Sequence, residues 1–187
     1  MIKLNRILAI VSSIILVLNY VEINIGTFFF NESSSLIKLE VGVFRIIFTV
    51  SLVIVYFYLA RYFRSIGEKE IQNLIYIGLV FAVLPQIMRF FYSNGQSFVE
   101  LISTLFYLGN FVLIIIWGIK ILKLNKSIDK NIKLVKAFVI CLFISLIINF
   151  IGTPILMFTL LMNNYSLILL PYIVPYSLLT LFFIKNR

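Results

Sequence analysis

Six long apolar runs, separated by short polar breaks, constrain this 187-residue chain more than any other feature. A helix rises about 1.5 Å per residue, so about 20 apolar residues cross the roughly 30 Å hydrocarbon core of a bilayer. The runs lie at about 7–28, 41–62, 71–92, 98–121, 134–162 and 165–184. This pattern predicts an all-α integral membrane protein, a six-helix bundle that forms a single transmembrane domain over residues 1–187.

The composition excludes most other classes of protein. Hydrophobic residues make up 62% of the chain and charged residues 12%, against about 45–50% and about 25% in an ordinary globular domain. A soluble domain, a disordered chain and a nucleic-acid-binding protein are therefore excluded. The chain has no His and one Cys, whereas zinc proteases and Ser-His-Asp or Cys-His nucleophiles need His. We expect no enzymatic activity, no metal and no cofactor.

Basic residues concentrate on one side of the predicted topology. If the N-terminus is cytoplasmic, 13 of the 16 Lys and Arg residues lie on the cytoplasmic side with three of the seven acidic residues. The outer side keeps three basic and four acidic residues. Loops rich in Lys and Arg stay in the cytoplasm. The sequence therefore predicts that both termini are cytoplasmic in a bacterial plasma membrane (the inner membrane).

Two charged residues fall inside the predicted spans. From the helical rise, Glu22 lies roughly 8 Å and Arg45 roughly 6 Å below the outer edge of the hydrocarbon core. A lone charge there costs at least about 2.5–3.5 kcal/mol, so we expect the two to pair. The pair either joins two helices or forms the charged anchor of a ligand site.

A ligand site in the outer half of the bundle would include further polar residues of the predicted spans. The candidates for its lining are Asn19, Gln86, Tyr172 and Tyr176. Small and polar residues also mediate helix–helix packing in membranes. A plain bundle interior is therefore the competing interpretation.

The segment 122–133 carries apolar and basic residues at helical spacing. The apolar series is Ile121, Leu124, Ile128, Ile132 and Val135, and the basic series is Lys123, Lys126, Lys130 and Lys133. As a helix, the segment would be amphipathic and would lie on anionic lipid headgroups. Docking of an acidic cytoplasmic partner is the alternative, and Ser127 and Asp129 would otherwise break the segment into a turn.

The layout resembles the substrate-binding S components of energy-coupling-factor vitamin transporters. The shared features are six spans, cytoplasmic termini, polar residues at the outer face and small residues at Ala9 and Ser13 of the first span. In that family the loop after the first span gates the ligand, and small residues of the first span dock a coupling subunit. The resemblance implies a gate at 31–40 and a partner-docking face at Ala9 and Ser13.

A second resemblance is to an uncharacterised bacterial six-span family with a domain-of-unknown-function label. The similar stretches are Phe44-Arg45 through Arg61, and Leu108-Gly109-Asn110 through Gly118 into the basic loop. This resemblance implies no activity.

Two functions remain open from the sequence. The first is a small-molecule binding or transport component with its site in the outer half of the bundle. The second is a non-catalytic structural, regulatory or immunity protein that acts through another membrane protein. In both, the bilayer and its anionic headgroups are the surroundings, and no nucleic acid is bound.

Overall fold

The computed structural model describes residues 2–29, 35–91, 97–125, 131–158 and 171–185. Within these ranges the chain forms six α-helices and no strand, which confirms the all-α prediction for the described residues. The helices are α1 (Ile2–Phe29), α2 (Ser35–Ser65), α3 (Lys69–Phe91), α4 (Ser97–Lys123), α5 (Ile132–Phe158) and α6 (Ile173–Lys185).

Four of these helices contain segments long and apolar enough to cross a membrane. The segments are Ile46–Ser65, Lys69–Met88, Phe98–Lys123 and Ile132–Ile151. Two shorter apolar helical segments, Arg6–Asn19 and Ile173–Lys185, complete the set found among the described residues. The helices are therefore compatible with a membrane protein.

The described residues cluster into two compact units. The first comprises residues 1–52 and 130–187, and the second comprises residues 53–129. In the first unit, α6 packs against both α1 and α5. In the second, α3 and α4 pack side by side and run antiparallel, since Glu70 contacts Lys120 and Gln86 contacts Tyr107.

Each unit has an apolar core that includes buried hydroxyl groups, and each also exposes large apolar side chains. In the first unit, Ser13 and Ser145 are almost fully buried, whereas Phe150 is 76% exposed. In the second, Ser103 is buried and Phe98 is 68% exposed. Only 17% of the membrane-length segment of α4 is buried. Small polar residues between helices and an apolar surface suit a bundle surrounded by lipid.

The face of α1 that carries Ala9 and Ser13 is covered by α6 of the same chain. Both residues are 0% exposed, and the Ser13 Oγ lies 2.9 Å from the Thr180 Oγ1 in a hydroxyl–hydroxyl hydrogen bond. These contacts favour packing within the chain, and docking of a separate partner at this face stays a prediction. Small side chains allow two helices to approach closely, and the helix that uses this property is α6.

Arg6 joins the beginning of α1 to the end of α6. Its Nε donates a hydrogen bond of 3.0 Å to the Phe183 carbonyl, and its Nη2 donates one of 2.6 Å to the Ile184 carbonyl. The last carbonyls of a helix have no amide donor within the helix and carry partial negative charge. The Arg6 guanidinium supplies both the hydrogen-bond donors and the positive charge that the end of α6 lacks. Because the start of α1 contacts the end of α6, these two helices run antiparallel.

Ser145 of α5 likewise donates a hydrogen bond to a backbone carbonyl, here just before the start of α6. Its Oγ lies 2.9 Å from the Pro171 carbonyl and 2.8 Å from the Cys141 carbonyl. Pro175, four residues after Pro171, has no N–H and therefore cannot donate the usual helical hydrogen bond to that carbonyl. The buried hydroxyl of Ser145 is the donor from the neighbouring helix.

A tight glycine turn connects α2 to α3. Gly67 has φ +89°, its N–H donates to the Arg64 carbonyl at 3.2 Å, and the Glu68 N–H donates to the Phe63 carbonyl at 2.8 Å. This pair of bonds is the Schellman motif, in which a left-handed residue ends the helix. The turn directs α3 back alongside the end of α2.

Replacing Gly67 with alanine is expected to lower the free energy of unfolding by about 1 kcal/mol, because a Cβ disfavours the left-handed conformation. Gly67→Asn is the matched control, since asparagine tolerates this conformation better and should recover part of the loss. Unfolding of the purified chain in mixed detergent micelles, followed by circular dichroism, measures both. Equal stability of the alanine variant and the unmodified chain would contradict the expectation.

A continuous amphipathic helix over 121–135 is not formed. The helix α4 ends at Lys123, Leu124 and Asn125 are non-helical, and α5 begins at Ile132. Ile121 and Ile132 are both 0% exposed, so they are buried within the protein. The described residues therefore favour the alternative of a break between α4 and α5, and the membrane-surface role of the segment stays a prediction.

Candidate functional site

A cleft with a volume of about 480 Å³ lies in the second unit, near the turn between α2 and α3. Its lining residues are Phe57, Arg61 and Arg64 of α2 and Tyr76 of α3. It lies beside the ends of these helices that adjoin Gly67, and its lining residues are not among the site residues expected from the sequence.

Helical spacing explains why one side of α2 supplies three of the four lining residues. Phe57, Arg61 and Arg64 are separated by four and three residues, and residues at these spacings share a helix face. The glycine turn then returns the chain so that Tyr76, in the second turn of α3, reaches the same place. The centroids of the Phe57 and Tyr76 rings are 5.9 Å apart, which is within the range of favourable aromatic pairs.

The two arginines give the cleft a concentrated positive charge. Both side chains are exposed, and neither forms a hydrogen bond or an ion pair with any residue that the structure describes. The nearby carboxylate of Glu70 is engaged by Lys120, with an Nζ–Oε1 distance of 2.6 Å. The guanidinium groups of Arg61 and Arg64 therefore remain available to an anion.

The residue types in the cleft define the chemistry that it supports. A guanidinium group presents several N–H donors in a fixed plane and binds phosphate or carboxylate with two parallel hydrogen bonds. The neighbouring rings of Phe57 and Tyr76 offer apolar surface for the rest of a ligand. No group of three or more His, Cys, Asp or Glu side chains among the described residues is placed to hold a metal ion.

The charged pair expected in the outer half lies outside the described side chains. Glu22 belongs to the helical backbone of α1 and Arg45 to that of α2, but their side chains are not among those described. Their pairing stays a prediction. Asn19 is 5% exposed and is therefore buried.

The other residues expected to line the outer site make contacts between helices. The Gln86 amide donates a hydrogen bond of 2.9 Å to the Tyr107 hydroxyl and so joins α3 to α4. The Asn149 amide donates one of 3.3 Å to the Tyr172 hydroxyl, near the start of α6.

The last of these residues, Tyr176, is 4% exposed and its ring lies 6.4 Å from that of Phe138, measured between centroids. Gln86 belongs to the second unit, whereas Asn19, Tyr172 and Tyr176 belong to the first. For Gln86, Tyr172 and Tyr176 these contacts favour a role in helix packing.

Two of the four lysines expected at the membrane surface are described. Lys123 at the end of α4 and Lys133 at the start of α5 are exposed, whereas Lys126 and Lys130 lie outside the described residues. Contact of these lysines with anionic headgroups stays a prediction.

No family model, no curated protein and no solved structure matches this chain. Both family resemblances therefore stay predictions.

Proposed function

We propose that the chain is a plasma-membrane protein that crosses the bilayer six times, has both termini in the cytoplasm, and binds a small anionic molecule without catalysing a reaction. One observation supports the binding function. Two exposed arginines and two aromatic rings line one cleft, and no ion pair within the described residues neutralises the arginines. The ligand would be held by charge and by apolar contact, which needs no catalytic group.

The charge distribution supports placing the cleft at the cytoplasmic side. Arg61, Arg64 and Lys69 surround the α2–α3 turn, and Lys120 and Lys123 end α4. Excess Lys and Arg near the ends of spans stays in the cytoplasm. In this orientation the cleft opens at the inner surface of the membrane.

Cysteine labelling tests the orientation. In a Cys141→Ser background, Lys69→Cys and Lys133→Cys should react with a membrane-impermeant maleimide only after spheroplasts are permeabilised. Asn31→Cys, in the predicted first outer loop, should react in intact spheroplasts. Labelling of Lys69→Cys without permeabilisation would place the cleft on the outer side and refute the proposed orientation.

Thermal stabilisation tests the binding function. A ligand that binds only the folded chain raises its unfolding temperature in proportion to the logarithm of ligand concentration over Kd. The full chain, purified in non-ionic detergent, should be stabilised by at least one anion among inorganic phosphate, citrate, glycerol 3-phosphate and phosphatidylglycerol. The double variant Arg61→Gln/Arg64→Gln should lose this response.

Lys69→Gln is the matched control. It removes a positive charge next to the α2–α3 turn, as the double variant does, but Lys69 does not line the cleft. This variant should keep the response. If none of the four anions stabilises the unmodified chain more than the double variant, the proposed binding function is wrong.

The second candidate function is a structural or regulatory protein that acts on another membrane protein. The hydrogen bonds from Gln86 to Tyr107 and from Asn149 to Tyr172 favour it, because they use polar groups of the expected ligand site to fasten helices together. A chain that folds normally and fails the anion test would support this second candidate.

A further inference from the structure

We propose that the cleft of Arg61 and Arg64 binds the headgroup phosphate of an anionic phospholipid from the cytoplasmic leaflet. This inference rests on the proposed anion-binding function and adds the identity of the ligand. It follows from the order in which charged, aromatic and aliphatic groups are arranged along α2 and α3.

The charged groups lie closest to the turn that joins the two helices. At a rise of about 1.5 Å per residue, Arg64 lies about 1.5 Å and Arg61 about 6 Å from Ser65, the last residue of α2. Both side chains are exposed. In the proposed orientation this is the depth of the inner headgroups.

The aromatic rings lie deeper, at closely similar distances on the two helices. Phe57 is about 12 Å from Ser65 along α2, and Tyr76 is about 10 Å from Lys69 along α3. The agreement of these distances is consistent with the 5.9 Å separation of the two ring centroids. Aromatic residues favour the boundary between headgroups and hydrocarbon, where the glycerol and ester groups of a phospholipid lie.

An exposed aliphatic side chain follows one turn deeper on α3. Val80, four residues after Tyr76, is 58% exposed and lies about 16 Å from Lys69 along the helix. From the turn inward, the order is therefore arginine, aromatic ring, aliphatic surface. A phospholipid presents the same order as phosphate, glycerol ester and acyl chain.

A soluble anion would contact only the part of this arrangement that is nearest the α2–α3 turn. It would contact the two guanidinium groups and leave Phe57, which is 44% exposed, and the aliphatic surface beyond it unoccupied. A phospholipid contacts all three zones at once. Basic pockets at the cytoplasmic ends of membrane helices are suited to lipid headgroups, and the planar guanidinium fork suits phosphate.

Lipid titration of the full chain tests the inference. The chain in non-ionic detergent is titrated with short-chain phosphatidylglycerol and with phosphatidylcholine of the same acyl chains, and lipid-bound species are counted by native mass spectrometry. Phosphatidylglycerol should bind at least about tenfold more tightly, a difference of about 1.4 kcal/mol. The double variant Arg61→Gln/Arg64→Gln should lose this preference.

Two further variants distinguish binding in the cleft from a nonspecific effect of positive charge and from a nonspecific effect of apolar contact. Lys69→Gln should keep the preference within about twofold, or about 0.4 kcal/mol, because Lys69 does not line the cleft. Phe57→Ala should weaken the binding of both lipids and leave the ratio between them unchanged. A Lys69→Gln variant that loses the preference as fully as the arginine double variant would overturn the inference.

Glycerol 3-phosphate, which has the phosphate and glycerol but no acyl chain, distinguishes the lipid inference from the broader function. It should bind at least about tenfold more weakly than phosphatidylglycerol. If it binds equally well and depends on the two arginines, the lipid inference is wrong and the anion-binding function stands. If neither ligand depends on the arginines, both proposals fail. Circular dichroism of every variant confirms that the chain is folded.

Discussion

Replacing Trp117 with alanine should lower the free energy of unfolding by about 3 kcal/mol. Trp117 is 1% exposed, and its ring meets that of Tyr56 edge to face, with centroids 6.3 Å apart. Truncating a buried aromatic residue costs about 3–5 kcal/mol in soluble cores. The lower end applies here because lipid tails are as apolar as the protein interior, so lost packing contacts dominate the cost.

Unfolding in mixed detergent micelles, followed by circular dichroism, measures this loss. Trp fluorescence cannot follow the unfolding of this variant, because the substitution removes the single Trp of the chain. Ile119→Ala is the control, because Ile119 lies on the same helix and is 42% exposed; it should change stability by less than about 0.5 kcal/mol. A Trp117→Ala variant as stable as this control would contradict the packing described for α4.

Replacing Gly109 with alanine should cost about 1 kcal/mol net, although alanine is the better helix former. A Cβ at Gly109 would lie 2.5 Å from Cε1 and 2.6 Å from Cδ1 of Phe81. The Phe81 ring is also packed edge to face against Phe106, with centroids 5.0 Å apart. Overpacking of this kind costs about 1–3 kcal/mol and outweighs the roughly 1 kcal/mol by which alanine favours a helix over glycine.

A double-mutant cycle tests whether the effect of Gly109→Ala on stability changes sign when the Phe81 ring is removed. In a Phe81→Ala background the obstructing ring is absent, so Gly109→Ala should become neutral or stabilise the chain by up to about 1 kcal/mol. Unfolding free energies of the four proteins of the cycle supply the coupling between the two positions. An equal cost of Gly109→Ala in both backgrounds would show that α3 and α4 do not approach each other at this point.

The sequence predicted the helices well because their main determinant is local. A helix satisfies the backbone hydrogen bonds of a long apolar run within the run itself, which lipid surroundings require. The helices also extend past the apolar runs, since α2 begins at Ser35, whereas its apolar run begins at about 41. Lys38 and Glu40 are good helix formers although they are polar, so the helix includes residues that hydropathy alone does not mark.

The cleft could not be predicted from composition or span order because it depends on how α2 and α3 pack. Arg61 and Arg64 served in the sequence only as indicators of the cytoplasmic side. The spacing Phe57-x-x-x-Arg61-x-x-Arg64 could have indicated part of the cleft, because it places one aromatic ring and two positive charges on the same face of α2, near its end. The position of Tyr76 was not encoded in that pattern, because it depends on the path of the chain through Gly67.

The hydrogen bonds of Arg6 have a consequence for the order in which the chain assembles. Arg6 and its acceptor Phe183 are separated by 177 positions, whereas α3 and α4 are consecutive helices. At a synthesis rate of about 5–20 residues per second, the acceptor leaves the ribosome roughly 10–35 s after Arg6. The α3–α4 hairpin can form during this interval, but α1 must wait for α6. Although α1 is made before α3 and α4, it therefore acquires its neighbour later than they do.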